Sequence, residues 1–465
     1  MKKQTMRMRA LTLVTSGFIA HIVFGIVNSI LVIRALGESG IGIFVLIRPT
    51  LAFFTTLTSL GNHKIRPAMT VAILLLLLAH PISHYVLHEP GTYLPLLFIA
   101  PLIIATSLSQ KFEAYLIYLD NTTPAAMTSI LHQAVKITAS LYFIYRFEPL
   151  GAAWVIAGLM LAYLFAELFS LLCTAVTYVA EKKREALSLA LHYLKRPEKP
   201  LKNREAPIQV IAAATEFLEP IIVMQLFFGL GLPSDISRSL YGSLSGFTMP
   251  ILMMPLFLSH ALSKIAKSSI RRSSPATING RLKEFMKIVF LVSGLYTLII
   301  LLYPTEIMNL YFQTSTGSQY LRLLAPFMLL YFFQQIFLAF LSALDESRQA
   351  VFPILISSFV RIALMLVLVP HLRFNIFGLI YATSAYLLIS TLWIFLKLIR
   401  LIRFQINPFM IINPLLVFSI TWLFGAFSKN HWLPFRFESF NMLFQISLLG
   451  ILYCGLCKLT RLWPS

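Results

Sequence analysis

The sequence predicts an all-α, polytopic membrane protein of about fourteen transmembrane helices, built as two pseudo-symmetric six-helix lobes plus two C-terminal helices. Three observations predict it. Of 465 residues, 58% are apolar and 12% charged, with a mean hydropathy of +0.80, whereas roughly a quarter of a soluble domain is charged. The apolar residues gather into stretches near the ~20 that a helix needs to cross a bilayer. Residues 99 to 141 also read without a gap onto residues 324 to 366. This repeat pairs Ala100 with Ala325, Pro101 with Pro326, Gln110 with Gln335, Asp120 with Asp345 and Ala125 with Ala350, and it sets Val135-Lys136-Ile137 against Val360-Arg361-Ile362. A duplication of this size inside membrane-spanning stretches is the pattern of a transporter whose substrate sits between two lobes near the bilayer midplane.

The spans fall at about 10–34, 42–61, 68–88, 93–113, 124–145, 150–180, 207–230, 241–265, 285–303, 319–343, 350–370, 375–398, 409–428 and 437–459. The first follows Lys2, Lys3, Arg7 and Arg9 and lacks a small-residue cleavage site, so it reads as a retained anchor with a cytoplasmic N-terminus. Cations then test the count, because Lys and Arg accumulate in cytoplasmic loops. The loops 181–206 and 266–284 are strongly basic, while 89–92, 231–240 and 304–318 carry few cations; this fits an even number of spans with both termini inside. The net charge of +20 is therefore topological and implies no nucleic-acid partner. Residues 186–194 suggest a short helix on the cytoplasmic surface. The domain plan is an N-lobe at 1–180, a basic linker at 181–206, a C-lobe at 207–401 and two further spans in 402–465. Both lobes start in the cytoplasm, so they are expected as parallel repeats about an axis along the membrane normal, with alternating access by rocking.

Charge inside the spans is where function is sought. A cation at a span centre costs about 2.5–3.5 kcal/mol on insertion scales, so it faces a polar cavity or a partner. Lys136 and Arg361 lie about eleven residues, roughly 16 Å, into their helices, which is the midplane. Arg48 lies about six residues, roughly 9 Å, from the outer end of its span. The acids Glu167, Glu216 and Glu219 are also within spans. Glu216 and Glu219 share a helix face, and two close carboxylates would suit proton or cation coupling; equally, all three acids are candidate counter-charges for the cations. Cys173, Cys454 and Cys457 imply neither a disulfide framework nor a metal site. The histidines His80, His84 and His88 repeat every four residues but lack a carboxylate suited to zinc, so no metal is expected. No nucleotide-binding loop or nucleophile motif is present, so no cofactor and no enzyme activity are expected. Energy would come from an ion gradient (H+ or Na+), the membrane potential or substrate concentration.

The stretch Tyr118-Leu-Asp-Asn-Thr-Thr-Pro-Ala-Ala126 followed by Lys136, the stretch Arg34-Ala-Leu-Gly-Glu-Ser-Gly-Ile-Gly-Ile-Phe44, and Tyr241-Gly-Ser-Leu-Ser-Gly246 with Pro250 and Pro255 form an ordered set. That set resembles the stage V sporulation protein B and MurJ-like flippases of the multidrug/oligosaccharidyl-lipid/polysaccharide (MOP) exporter superfamily, and the resemblance covers nearly the whole chain. It departs from the family in a short connection at Asn62–Pro67 and in Ala114-Tyr-Leu-Ile-Tyr118, where the family is Gly-rich. The resemblance implies a monomeric flippase in the bacterial cytoplasmic membrane. It would move a lipid-linked oligosaccharide of the undecaprenyl-pyrophosphate type, or a cell-wall precursor, with the last two spans forming a groove for the lipid tail. Arg48, Lys136 and Arg361 are then the candidate phosphate-binding residues, Arg offering a fork of donors that matches phosphate. An ion-coupled multidrug exporter on the same architecture is the alternative, kept open by the acids, and an internal ion-pair network remains the structural reading of all six residues.

Overall fold

The computed structural model describes residues 25–60, 65–118, 122–181, 206–270, 275–371, 375–405, 407–431 and 438–464. They are helical, with no strand among them: α1 Gly25–Leu60, α2 Ile65–Pro81, α3 Tyr93–Tyr118, α4 Thr122–Phe147, α5 Ala152–Glu181, α6 Ala206–Gly229, α7 Ser234–Gly242, α8 Leu256–Ile270, α9 Pro275–Val289, α10 Pro304–Phe312, α11 Ser318–Ala343, α12 Arg348–Leu368, α13 Ile376–Ile402, α14 Phe409–His431 and α15 Glu438–Leu459. Eleven stretches among the described residues are long and apolar enough to cross a membrane. In a bilayer every backbone polar group must be satisfied internally, which leaves helices as the solution for such stretches. The molecule is a multi-pass membrane protein. Residues 182–205 of the linker, with its expected surface helix, and residues 1–24 lie outside the described residues.

Three of the fourteen expected spans depart from simple apolar rods. The first survives among the described residues as the apolar stretch Val27–Gly37. It runs into the second span at Gly37, whose φ of 61° and ψ of −171° break the helical path; a Cβ would strain that conformation, and glycine has none. The fifth, α4, is helical for 26 residues but carries Gln133, Lys136, Thr138 and Ser140, too polar a set to cross on composition alone. The eighth is broken. After α7 the chain forms a π-helical turn at Ser243–Thr248, a short turn at Met249–Leu252, and then α8. Pro250 and Pro255 supply no N–H to the ladder, and the carbonyl of Ile251 is caught instead by the Tyr296 hydroxyl at 2.6 Å.

The repeat is drawn again in helix limits. Both α3 and α11 are 26 residues long, their starts and ends both differ by 225 positions, and each holds its proline, Pro101 or Pro326, at the ninth residue. That offset is the one at which the sequence aligns on itself.

The structure forms two compact units, one comprising Met1–Pro250 with Ile362–Leu379, the other Ile251–Arg361 with Ile380–Ser465. In the first, α5 packs along α4 and α3, and α1 packs against α6 and α7. Between helices in lipid there is no hydrophobic driving force, so close approach and hydrogen bonds hold the bundle. Gly158 illustrates the first: a Cβ there would lie 2.6 Å from the Phe147 ring. The buried Ser109–Ser170 bond at 3.2 Å illustrates the second, worth about 0.6 kcal/mol by analogy with measured membrane bonds. In the second unit, α9 continues through a π-helical turn at Phe290–Gly294 to Leu302. The Tyr453 hydroxyl of α15 donates to the Phe290 carbonyl at 2.7 Å, and Gly425 of α14 meets Leu302 where a Cβ would stand 2.3 Å away. A polar knot closes the same region: Lys429 pairs with Glu306 at 2.7 Å, and Tyr303 donates to Gln445 at 2.9 Å. The two C-terminal spans are therefore fastened to α9 rather than trailing from it. Their other side exposes Ile411, Ile412, Leu415, Leu416, Leu423 and Phe427, a surface suited to acyl chains and not to water.

Candidate functional site

Lys136 of α4 places its Nζ 3.8 Å above the centre of the Tyr163 ring on α5. One turn earlier on α4 and one turn later on α5, His132 Nε2 stands 3.4 Å from Glu167 Oε1, each side chain 19% exposed. Positions 132 and 136 are four apart on α4, and 163 and 167 are four apart on α5, so helix spacing alone stacks two rungs between the same pair of helices. The aromatic face offers the ammonium about 0.5–1 kcal/mol where exposed and about 2 where desolvated. This lowers the cost of holding a charge between two helices without neutralising it. Neither rung is sealed from its surroundings.

In the second unit, Arg361 of α12 is 7% exposed, with its guanidinium carbon 5.7 Å from the centre of the Tyr386 ring on α13. The same motif therefore recurs in both copies of the repeat: a cation on the helix after the loop, a tyrosine on the helix that follows. The tyrosines were not legible as partners from sequence. With the two-residue shift between Gly151 and Gly378, Tyr386 aligns with Leu159 and Tyr163 with Ser390, one turn out of register, so the repeat offered no signal.

The remaining candidates are distributed over the first unit. Arg48 is exposed on α1 beside Pro49 and makes no ion pair with a described residue. A turn further on, Phe53 stacks on Phe217 of α6 with centroids 4.9 Å apart and planes 7° from parallel. Glu216 flanks Phe217 and is exposed, while Glu219 is half-buried and accepts from the Tyr241 hydroxyl at 3.3 Å. Glu167 thus lies one turn from Lys136 and meets His132, and Glu219 meets a tyrosine of the broken eighth span. No group of three or more His, Cys, Asp or Glu side chains placed to hold a metal occurs among the described residues.

The described residues are helical, and the internally duplicated sequence sets a cation at the same position of each copy. The fold is shared with solved transporters: an inward-facing multidrug resistance MATE family transporter of the MOP superfamily aligns over 85% of this chain and 98% of its own, with a TM-score of 0.54 at 14% identity. A MOP superfamily transporter from Pyrococcus furiosus aligns over 87% and 97%, with a TM-score of 0.51 at 14% identity. In sequence the chain is similar to stage V sporulation protein B of Bacillus subtilis (strain 168), 26% identical over 434 residues, covering 84% of this chain and 83% of that protein. No family model matches the chain.

Proposed function

We propose that the protein is a flippase that carries a lipid-linked oligosaccharide or cell-wall precursor, of the undecaprenyl-pyrophosphate type, across the bacterial cytoplasmic membrane by alternating access. The observation that carries this reading is the pair of cations at equivalent positions of the repeat, Lys136 and Arg361, each beside the face of a tyrosine ring on the following helix. A ring face holds a cation weakly enough for phosphate oxygens to replace it, and charge-assisted bonds to phosphate are the stronger interaction. Arg48 is the third proposed phosphate contact. The lobes of residues 1–180 and 207–401 would rock about the substrate, with residues 402–465 beside the lipid tail and both termini in the cytoplasm. Transport rather than bond chemistry is the activity proposed, by a monomer.

Glu167, Glu216 and Glu219 are the proposed ion-coupling or countercharge residues, with H+ or Na+ as the ion. They also support the second reading, an exporter of small cationic amphipaths, which would draw on the acids and not on the cations. That one fold serves both is consistent with the P. furiosus relative, described as having a reversed binding-pocket polarity that suggests a different function. The two readings separate in proteoliposomes carrying fluorescent lipid-linked sugar. Lys136→Ala and Arg361→Ala should abolish most sugar translocation, and Glu216→Gln with Glu219→Gln should leave it measurable. Translocation that survives loss of both cations discredits the flippase reading; efflux of a cationic dye lost only with the acids supports the exporter.

A further inference from the structure

The loops 89–92 and 231–240, predicted to face outside, meet in the first unit through a charged contact. Glu89 Oε2 lies 2.7 Å from Arg238 Nη1, with the two side chains only 12% and 19% exposed. Both partners are held by further bonds. Glu89 accepts from the Gly91 N–H at 3.3 Å, capping the short helix at Pro90–Thr92, and its own carbonyl accepts from Ser83. Arg238 also pairs with Asp235 and donates to the Ser234 carbonyl at 3.3 Å. Next to it His88, in the left-handed conformation with φ 51°, contacts the Gln225 amide of α6.

Beneath this ion pair the helices close without a gap. A Cβ on Gly42 of α1 would stand 2.7 Å from the Arg238 Cβ; one on Gly242 would lie 3.0 Å from Ile41 and 3.2 Å from the Gly42 nitrogen; one on Gly246 would lie 2.3 Å from Ile41. Ile41 is fully buried as a result. The seam joins α1, of the expected N-lobe, to α7 and the turn after it, of the expected C-lobe, and both sides lie in one compact unit. It is narrow and made from glycines on both sides, so parting it would expose Ile41 and three glycine faces.

We propose that this seam is the outer closure of the transport path and that Glu89–Arg238 is its latch, which must part for a substrate to leave on that side. The proposal rests on the transport reading above, but its geometry does not depend on which substrate is carried. The ion pair supplies attraction at the rim, where separated charges regain water, and the glycine contact supplies the fit that is lost once the helices move. A latch of this strength suits a gate: a partly exposed pair contributes at most about 1 kcal/mol, enough to bias two states and not to fix one.

The test uses the full chain in proteoliposomes, with Cys173, Cys454 and Cys457 replaced by alanine and a reporter Val45→Cys, which is buried beside Gly246. A membrane-impermeant maleimide is added from the side bearing the two loops. Glu89→Gln and Arg238→Gln should each raise the labelling rate about fivefold, the change expected from losing one such pair, and Gly246→Val should raise it further by wedging the seam. In the same alanine background without the reporter, Ile41→Cys with Gly242→Cys places two sulfurs within disulfide reach. Oxidation should stop translocation of lipid-linked sugar, and reductant should restore it in the same sample, which excludes misfolding. Unchanged labelling in both glutamine variants, or full transport with the disulfide formed, overturns the latch. Labelling that responds as expected while no lipid-linked sugar moves in any variant leaves the latch standing and overturns the substrate.

Discussion

The two copies of the repeat hold their cations in different settings. In the first, Lys136 is half-buried and shares its helix pair with the His132–Glu167 rung. In the second, Arg361 is 7% exposed, and the positions aligned with His132 and Glu167 are Ser357 and Ile394, both at 0%. The tyrosine that faces the cation comes from one register in α5 and from a register one turn earlier in α13, at 3.8 Å and 5.7 Å respectively. Duplication has preserved the position and sign of the charge but not the register of the ring beside it. Arg keeps its charge in any surroundings, whereas the compact Lys ammonium is strongly hydrated and suits a site with access to water. The first copy leaves its cation the more exposed of the two.

Moving the first setting into the second should break this contrast most severely. Ile394→Glu puts a carboxylate in a sealed position, at a cost of at least about 3 kcal/mol. We expect little folded protein by fluorescence-detected size exclusion, with partial recovery when Ser357→His is added. A variant that melts like the parent would show that the two sites are not inequivalent in burial. Next in size is loss of either cation. Each of Lys136→Ala and Arg361→Ala should lower lipid-linked sugar translocation about 10- to 100-fold, the range for a lost hydrogen bond to a charged group. Lys136→Arg should retain activity, and Arg361→Lys should lose part of it, measured as initial rates at matched protein density.

Smaller effects sharpen the comparison. Tyr163→Leu should slow transport about two- to fivefold, and Tyr386→Leu less, because the ring contact is longer; Tyr163→Phe, which keeps the ring, should be near parental. Equal losses at both tyrosines would mean that distance to the ring is irrelevant. The smallest change should come from making the first copy like the second. Glu167→Ile with His132→Ser removes a rung that is 19% exposed, and thermal unfolding in detergent should register a shift corresponding to less than about 1 kcal/mol.

Much of this was legible before any coordinates. The repeat and most helix limits follow from hydropathy and from the alignment of the sequence on itself. The sequence reading gave Glu167 to the cations as one possible counter-charge, and it left His132 and both tyrosines unremarked. Nothing in the spacing could reveal the Glu89–Arg238 pair, since 149 positions separate partners on loops that looked nearly uncharged.

What the chain determined by itself is its solvent and its periodicity. Stretches of about 20 apolar residues must be helices in lipid, and two matching copies of a helix carry a cation at the same position of each. Tertiary structure decided which side chain each charge meets, where the eighth span breaks, and how α14 and α15 are fastened to α9. Those outcomes depend on the rotation and approach of each helix, and these are set by contacts such as Gly158 on Phe147 or Gly246 on Ile41. A glycine declares that something comes close; only the packed bundle names what.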